Sequence, residues 1–292
     1  MTDFIDISHE NTKKVPLNEF SHIFATGPDA IQFLHNQFTN DLLGLMPNRW
    51  QLSSWCNHKG RIKTIMWIWK DNIGVHMIMP QLMEKTFLDD IKRYILRAKI
   101  TIEPMAGSRL TAIIGPRNKS IKTNSWEISG NDIVLYYNET GTLHISPDDH
   151  EPRPDLPYNT IGIWNDHLWQ CGYVWIHPST YEKVIPQSVG LKSGRGLSFE
   201  KGCYPGQEVI ARTHYKGQSK RSLYQCHIIS EENILIGTQI LSVQDEAGTV
   251  MGSSRINGDR TQKLLCVLID EKVNTGGLSI REDALTVIKR IS

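Results

Sequence analysis

Pro205 followed by Gly206 constrains this chain more tightly than any other pair of its residues. Proline presets φ for the second position of a type II turn, and glycine takes the positive φ of the third. Gln207-Glu208-Val209-Ile210-Ala211-Arg212 then supplies good helix formers, so a helix is predicted to open at that turn. Just ahead of it, in the run Lys201-Gly-Cys-Tyr-Pro-Gly-Gln-Glu208, Cys203 follows a glycine and lies two residues from a lysine. A helix start exposes unpaired N–H groups and partial positive charge, which stabilise a nearby anion. With Lys201 so close, Cys203 is expected to be partly thiolate near neutral pH. A cysteine in a tight turn is otherwise a small apolar filler; the neighbours here favour the reactive reading.

At 292 residues the chain is too long for one compact core, and two or three domains are expected. The expected segments are 1–105, 106–220 and 221–292, the last a small β-barrel. A net charge of +1 excludes a molecule that binds nucleic acid through its overall field. The charge is uneven, however: Lys192, Arg195, Lys201, Arg212, Lys216, Lys220 and Arg221 face only Glu200 and Glu208 within one stretch, a local excess of +5. Such a stretch suits an anionic ligand tail or a phosphate backbone. The start, Met1-Thr-Asp-Phe-Ile-Asp-Ile-Ser-His-Glu10, has no basic segment followed by an apolar run, so no secretory signal is expected. The apolar runs are too short to span a membrane. Five cysteines without any C-x-x-C spell neither a disulfide framework nor a zinc or iron–sulfur ligand set. Reduced thiols in a cytoplasmic protein are the simplest reading, with no resident metal.

Along the chain, Gly27-Pro28-Asp29 opens a helix with Ile31, Leu34, His35 and Phe38 on one face. Strands are expected at 51–56 and 62–69, joined around Asn57-His58-Lys59-Gly60, and again at 73–79. Gln81 to Ala98 reads as one helix with Leu82, Phe87, Leu88, Ile91, Ile95 and Leu96 inward. Short strands follow at 99–103, 110–114, 132–137 and 142–146, then a Pro-rich loop from Pro147 to Pro157 and a helix from Ile161 to Cys171. From Ser222 onward, short alternating segments with a hairpin at Val243–Gly252 indicate a small all-β barrel. Phosphate-loop, nucleophile-elbow and zinc-protease motifs are absent. Eleven histidines offer partners for a Cys–His pair, but no spacing selects one. Eight tryptophans are many for this length; most are expected in the core, and some around a flat heteroaromatic ligand.

The motif Lys201–Glu208 resembles the signature of the YgfZ family of folate-binding proteins, relatives of the glycine cleavage T-protein. Ile185-Pro186-Gln187, Leu191 and Gly196-Leu-Ser-Phe-Glu-Lys resemble that family's approach to the motif, and Val209-Ile-Ala-Arg212 with Gly217-x-x-Lys220-Arg221 its exit. Gly27-x-Asp29, Phe33-Leu34-x-x-Gln37-x-Thr39-x-Asp41, Cys56-x-x-Lys59-Gly60-Arg61, Tyr94 and Lys99-x-Thr101-Ile102-x-Pro104 resemble its earlier landmarks. The likeness covers roughly residues 17–225. Gly190-Leu191 stands where the family has Asn-Leu, and Arg195-Gly196 where it has Gly-Gly.

The resemblance implies an α+β, T-protein-like three-domain ring, with two interwoven ferredoxin-like α+β domains and a C-terminal antiparallel β-barrel around a central cavity. It implies tetrahydrofolate as cofactor, with the first domain folate-binding. Aromatic contacts would fall on Phe20, where a Trp is usual, and on Trp164; Tyr204, Gln207, Glu208 and Arg212 would also meet the ligand or order the turn. Cys203 would be a reactive thiol or transient cluster ligand, with Lys201 its electrostatic partner. Where the T-protein has a pair of aspartates this chain has Lys63-Thr64, so proton handling for aminomethyl transfer lacks its usual agent. The expected function is therefore a cytoplasmic, tetrahydrofolate-binding accessory to iron–sulfur cluster assembly or repair that supports tRNA-modifying iron–sulfur enzymes, without turnover of its own. Its expected partners are folate, iron–sulfur assembly factors and client enzymes, in a monomer with no membrane contact; direct tRNA binding stays open. A folate-dependent one-carbon transferase is the alternative.

Overall fold

The computed structural model describes residues 11–116, 121–217, 219–243, 245–255 and 260–291. The opening segment 1–10, read above for a signal, lies outside the described residues. A first sheet runs in the order β3 (Trp50–Cys56), β4 (Ile62–Lys70), β5 (Gly74–Pro80), β2 (Phe20–Thr26) and β6 (Thr101–Pro104). Its neighbours are all antiparallel. A second sheet runs β1 (Lys13–Pro16), β7 (Ser108–Ile114), β10 (Gly141–Pro147), β9 (Asp132–Asn138) and β8 (Ser125–Ser129). The chain thus weaves: β1 precedes the whole first sheet in sequence but pairs with β7 of the second.

β4 is buried on both faces from Ile62 to Trp69. Ile65, Trp67 and Trp69 enter a large core shared with the second sheet, while Met66 and Ile68 enter a smaller one beneath α1 (Ala30–Gln37) and α2 (Gln81–Ile91). A strand covered on both faces reads as an unbroken apolar run. Helix α1 buries Ala30, Phe33, Leu34 and His35, close to the expected face.

The helix expected from Gln81 to Ala98 is shorter. It leaves α geometry at Ile91, tightens into a 3₁₀ turn over Lys92–Tyr94, and then unwinds. Leu82 and Leu96, expected inward, are 63% and 86% exposed. The pull comes from tertiary contacts. The Asp29 carboxylate accepts the Lys99 N–H at 2.7 Å, and the Tyr94 ring meets Trp55 edge-on. The chain must therefore leave the helix early to reach β6.

Helix α3 (Ile161–Gln170) lies where expected. Two short segments, β11 (Lys192–Ser193) and β12 (Gly196–Leu197), flank the turn at Gly194-Arg195. They precede α4 (Gln207–Lys216), the helix opened by the Pro-Gly pair. The remaining strands close an antiparallel barrel in the order β13 (Arg221–Ile229), β16 (Thr261–Ile269), β15 (Asp245–Arg255), β14 (Gln239–Ser242), β17 (Leu278–Ile280) and β18 (Asp283–Arg290). A short α5 (Asp270–Thr275) links β16 to β17. Tyr224, Cys226, Ile228, Leu264, Cys266 and Leu268 fill the barrel. Leu223, Leu265, Val267 and Met251, on its outer wall, join the large core. The α+β architecture with a C-terminal barrel is as expected.

Candidate functional site

The turn forms as its residues dictate. The Gln207 N–H donates to the Tyr204 carbonyl at 3.1 Å, and Gly206 takes φ 80°, ψ 3° as the cap before α4. Gly206 has a second duty. A Cβ there would lie 2.5 Å from the Asn57 carbonyl oxygen and 2.6 Å from Gly60 Cα. A Cβ on Gly60, itself at φ +69°, would lie 3.3 Å from the Val209 and Ile210 side chains, closer than ordinary van der Waals contact. The cysteine turn is therefore docked, glycine on glycine, against the β3–β4 hairpin. Gln187 strengthens the dock by donating to the Ile210 carbonyl at 2.7 Å.

Cys203 is exposed at the lip of this turn, whereas Cys56, Cys226 and Cys266 are buried and Cys171 is half-buried. Burial pushes the Cys56 thiol up to about 12 and Cys266 well above its ordinary value, so these sulfurs are inert packing. Glu208 and Arg212 are exposed on α4, and Gln207 Nε2 reaches the Lys201 carbonyl at 3.5 Å.

Lys201 takes a different part from the one expected. Its buried ammonium donates to the His35, Phe38 (2.6 Å) and Asn40 (3.3 Å) carbonyls at the end of α1, 5.0 Å from the centre of the Tyr204 ring. Burial pulls it down to about 8, with Asp41 acting the other way. A helix C-terminus with unpaired carbonyls is a natural seat for a cation. Lys201 thus ties the cysteine turn to α1, and its charge is committed there rather than to the thiol. Tyr204 is buried beside it, its hydroxyl without a hydrogen-bond partner and pushed up by burial.

The expected aromatic contacts lie apart from this turn. Phe20 meets Trp164 edge-on at 6.5 Å and Trp175 at 5.1 Å. Trp164 is 1% exposed and sits behind Phe20. In front, a cavity of about 220 Å³ is lined by Phe20, Trp169, Trp175, Ile161, Met251 and Glu19 among others. Distant segments build it, among them the start of β2, helix α3, the stretch Trp175–His177 and barrel strand β15. Gly252 makes this junction possible, since a Cβ there would lie 2.5 Å from the Trp169 ring. The indole N–H groups of Trp164 and Trp175 have no hydrogen-bond partner, and the lining carries one carboxylate, Glu19. A larger, more polar cavity of about 440 Å³ lies elsewhere, lined by Asn40, Asp41, Arg49, Trp50, Tyr173 and Arg195 among others. Cys203 lines neither.

The Lys63-Thr64 position is informative. Lys63 Nζ pairs with Asp90 of α2 at 2.7 Å and lies over the Trp55 ring, while the Tyr181 hydroxyl donates to the same carboxylate at 2.8 Å. Burial alone would raise Asp90, but these two donors hold it below the usual carboxylate range. An ionised carboxylate saturated by donors is a poor proton acceptor.

Sequence reasoning missed one network. His22 Nε2 and His76 Nδ1 are 2.9 Å apart; His76 Nε2 is 3.1 Å from Asp71, and His22 Nδ1 is 3.3 Å from Ser108 Oγ. Burial, with His76 second, pulls His22 down to about 3. The available signal was positional: Phe20, His22 and Phe24 alternate on one face of β2.

The architecture is that of the aminomethyltransferase T-proteins. The glycine cleavage system aminomethyltransferase T from Bartonella henselae matches with a TM-score of 0.72 at 12% identity, over 96% of this chain and 85% of that one. Curated relatives of this chain include proteins named tRNA-modifying protein YgfZ. That of Blochmanniella pennsylvanica is 29% identical over 231 residues, 72% of this chain and 70% of the relative. That of Yersinia pseudotuberculosis serotype IB is 25% identical over 293 residues, 93% and 88% respectively. The resemblance read from the cysteine motif is thereby borne out. No protein-family model matches the chain. No described helix is long and apolar enough to cross a membrane.

Proposed function

We propose that this protein is a tetrahydrofolate-binding accessory factor that supports iron–sulfur enzymes of tRNA modification through cluster assembly or repair. The observation that carries this reading is Cys203: an exposed thiol on a turn locked to its surroundings by Gly206, Gln187 and Lys201. So much backbone machinery around one exposed sulfur suits a thiol that must be presented to a partner. An iron–sulfur cluster would be cargo at this thiol, with its other ligands supplied by the donor or client.

The aromatic cavity suits the folate. Its volume is below the usual range for whole drug-sized ligands, so it fits the bicyclic pterin end, with the remainder of the molecule extending outward. Phe20 and Trp175 offer aromatic area, and Glu19 suits the donor edge of an aminopyrimidinone. Folate would occupy and brace the junction between the first sheet, α3 and the barrel. The saturated Asp90 counts against aminomethyl transfer, since no free carboxylate replaces the missing pair at that position.

Calorimetric titration with tetrahydrofolate tests the cavity. Wild type should release heat with one site. Glu19→Gln should weaken binding by about ten- to a hundredfold, the worth of a charge-assisted hydrogen bond, and Phe20→Leu should weaken it without unfolding the protein. No heat from wild type would remove folate from the account.

A further inference from the structure

The basic stretch seen in the sequence does not survive folding as one patch. Lys201 is buried beneath α1, and Arg195 is turned inward, donating to the Cys171 carbonyl at 2.7 Å over the Tyr173 ring. What remains at the end of α4 is joined by two cations from elsewhere in the chain. Arg61, Lys183, Lys220 and Arg221 line a cleft of about 280 Å³ together with Ser188, Thr213 and Ser219, and no acidic side chain lines it. Arg221 shares its charge with Glu246 at 2.8 Å, and Arg61 donates to the Lys183 carbonyl. Four cations converging on a concave site without a carboxylate among them make a seat for anionic oxygens.

The other flank of the same helix turn carries a different chemistry. Phe199 and His214 stack face to face, with centroids 4.0 Å apart and planes 13° apart. Tyr215 packs edge-on against both and leaves its ring 70% exposed. An exposed tyrosine propped by two further rings is a platform for a flat partner. Cleft and platform meet on α4, which gives Thr213 to the one and His214 and Tyr215 to the other.

We infer that the C-terminal turn of α4 is a docking surface for a single-stranded segment of RNA, with phosphates in the cleft and a base stacked on Tyr215. The pairing of the two features selects this partner. A polyglutamate tail would use the cations but has no flat group for Tyr215; an apolar peptide would use the ring but not the cleft. Single-stranded nucleic acid presents both, at close spacing along one backbone. The surface begins where the cysteine turn's own helix ends, so bound RNA would lie within one short helix of Cys203. The inference does not depend on folate binding.

The test is fluorescence anisotropy with a 5′-labelled, mixed-sequence single-stranded RNA and its duplex, using full-length folate-free protein across a salt series. Wild type should bind the single strand more tightly than the duplex at about 50 mM salt. Lys183→Gln with Lys220→Gln should flatten the slope of log affinity against log salt by about 1.4, near 0.7 for each lost phosphate contact. Tyr215→Ala should weaken binding about five- to a hundredfold with the slope unchanged, and Tyr215→Phe should restore it. Tetrahydrofolate titration of the same variants should match wild type, which separates failure here from failure of the folate site. No binding at about 50 mM salt, variants indistinguishable from wild type, or displacement of RNA by an equal concentration of polyglutamate would each overturn the assignment.

Discussion

The aromatic cavity and the cysteine turn are built in opposite ways. The cavity is made of side-chain area: Phe20 of β2 meets Trp164 and Trp175, from α3 and its exit, through ring contacts, and Trp169 adds to the lining. The turn is made of backbone: a Pro-Gly corner, two glycines in direct contact, and a buried lysine on three carbonyls. Side-chain area gives a shape that a flat ligand can fill. Backbone contact gives a fixed position for one exposed atom, with little tolerance for added volume. The two regions therefore differ in what a substitution removes.

Trp164→Ala should have the largest effect, about 4 kcal/mol of stability, because it empties a fully buried site. Urea unfolding reads the loss, and tetrahydrofolate should partly restore the midpoint by binding the folded state. Gly206→Ala should cost about 3 kcal/mol from the positive φ and the collision with Asn57 and Gly60 together. Folate should raise the Gly206→Ala midpoint as far as it raises that of wild type, since the cavity lies apart from the turn, whereas the gain at Trp164→Ala should be smaller because the ring behind Phe20 is lost. A folate gain at Trp164→Ala equal to that at Gly206→Ala would erase the distinction between the regions.

A smaller effect comes from pH. His22, on the same strand face as Phe20, is held neutral in the fold well below the ordinary imidazole range, and burial also lowers His76 against the pull of Asp71. The unfolded chain takes up protons below about pH 6.5 while the folded chain does not. Stability contributed by these groups is thus complete above about pH 6.5 and falls as pH drops towards the folded value of about 3. Urea midpoints at pH 7.5 and pH 5 should differ, and His22→Phe should shrink that difference.

The uneven legibility of the sequence follows from the same contrast. Pro205, Gly206 and the helix after them could be read directly, because a turn type and a helix start are local properties of adjacent residues. The strands flanking Asn57–Gly60 and the barrel were legible for the same reason. The partner of Gly206 was not: that it presses on Gly60 depends on how α4 meets the hairpin, about 150 residues away in the chain. Lys201 was placed beside Cys203 because proximity in sequence was the available guide, whereas the carbonyls of α1 compete better for a buried ammonium. The end of α2 was misjudged because periodicity carries no information about the pull of Asp29 on Lys99. Strand β8 and the His22–His76 pair went unseen: one is short and polar, and the other needs two strands in register.

The most direct test of the central claim is the level of tRNA modifications made by iron–sulfur enzymes in cells that lack this protein and are supplied with wild type or Cys203→Ala. Since Cys203 is exposed, the substitution should change stability by less than about 0.5 kcal/mol and leave tetrahydrofolate binding nearly intact. Modification should stay at the level of the uncomplemented cells. Full restoration by Cys203→Ala would contradict the account, because the turn would then be presenting nothing.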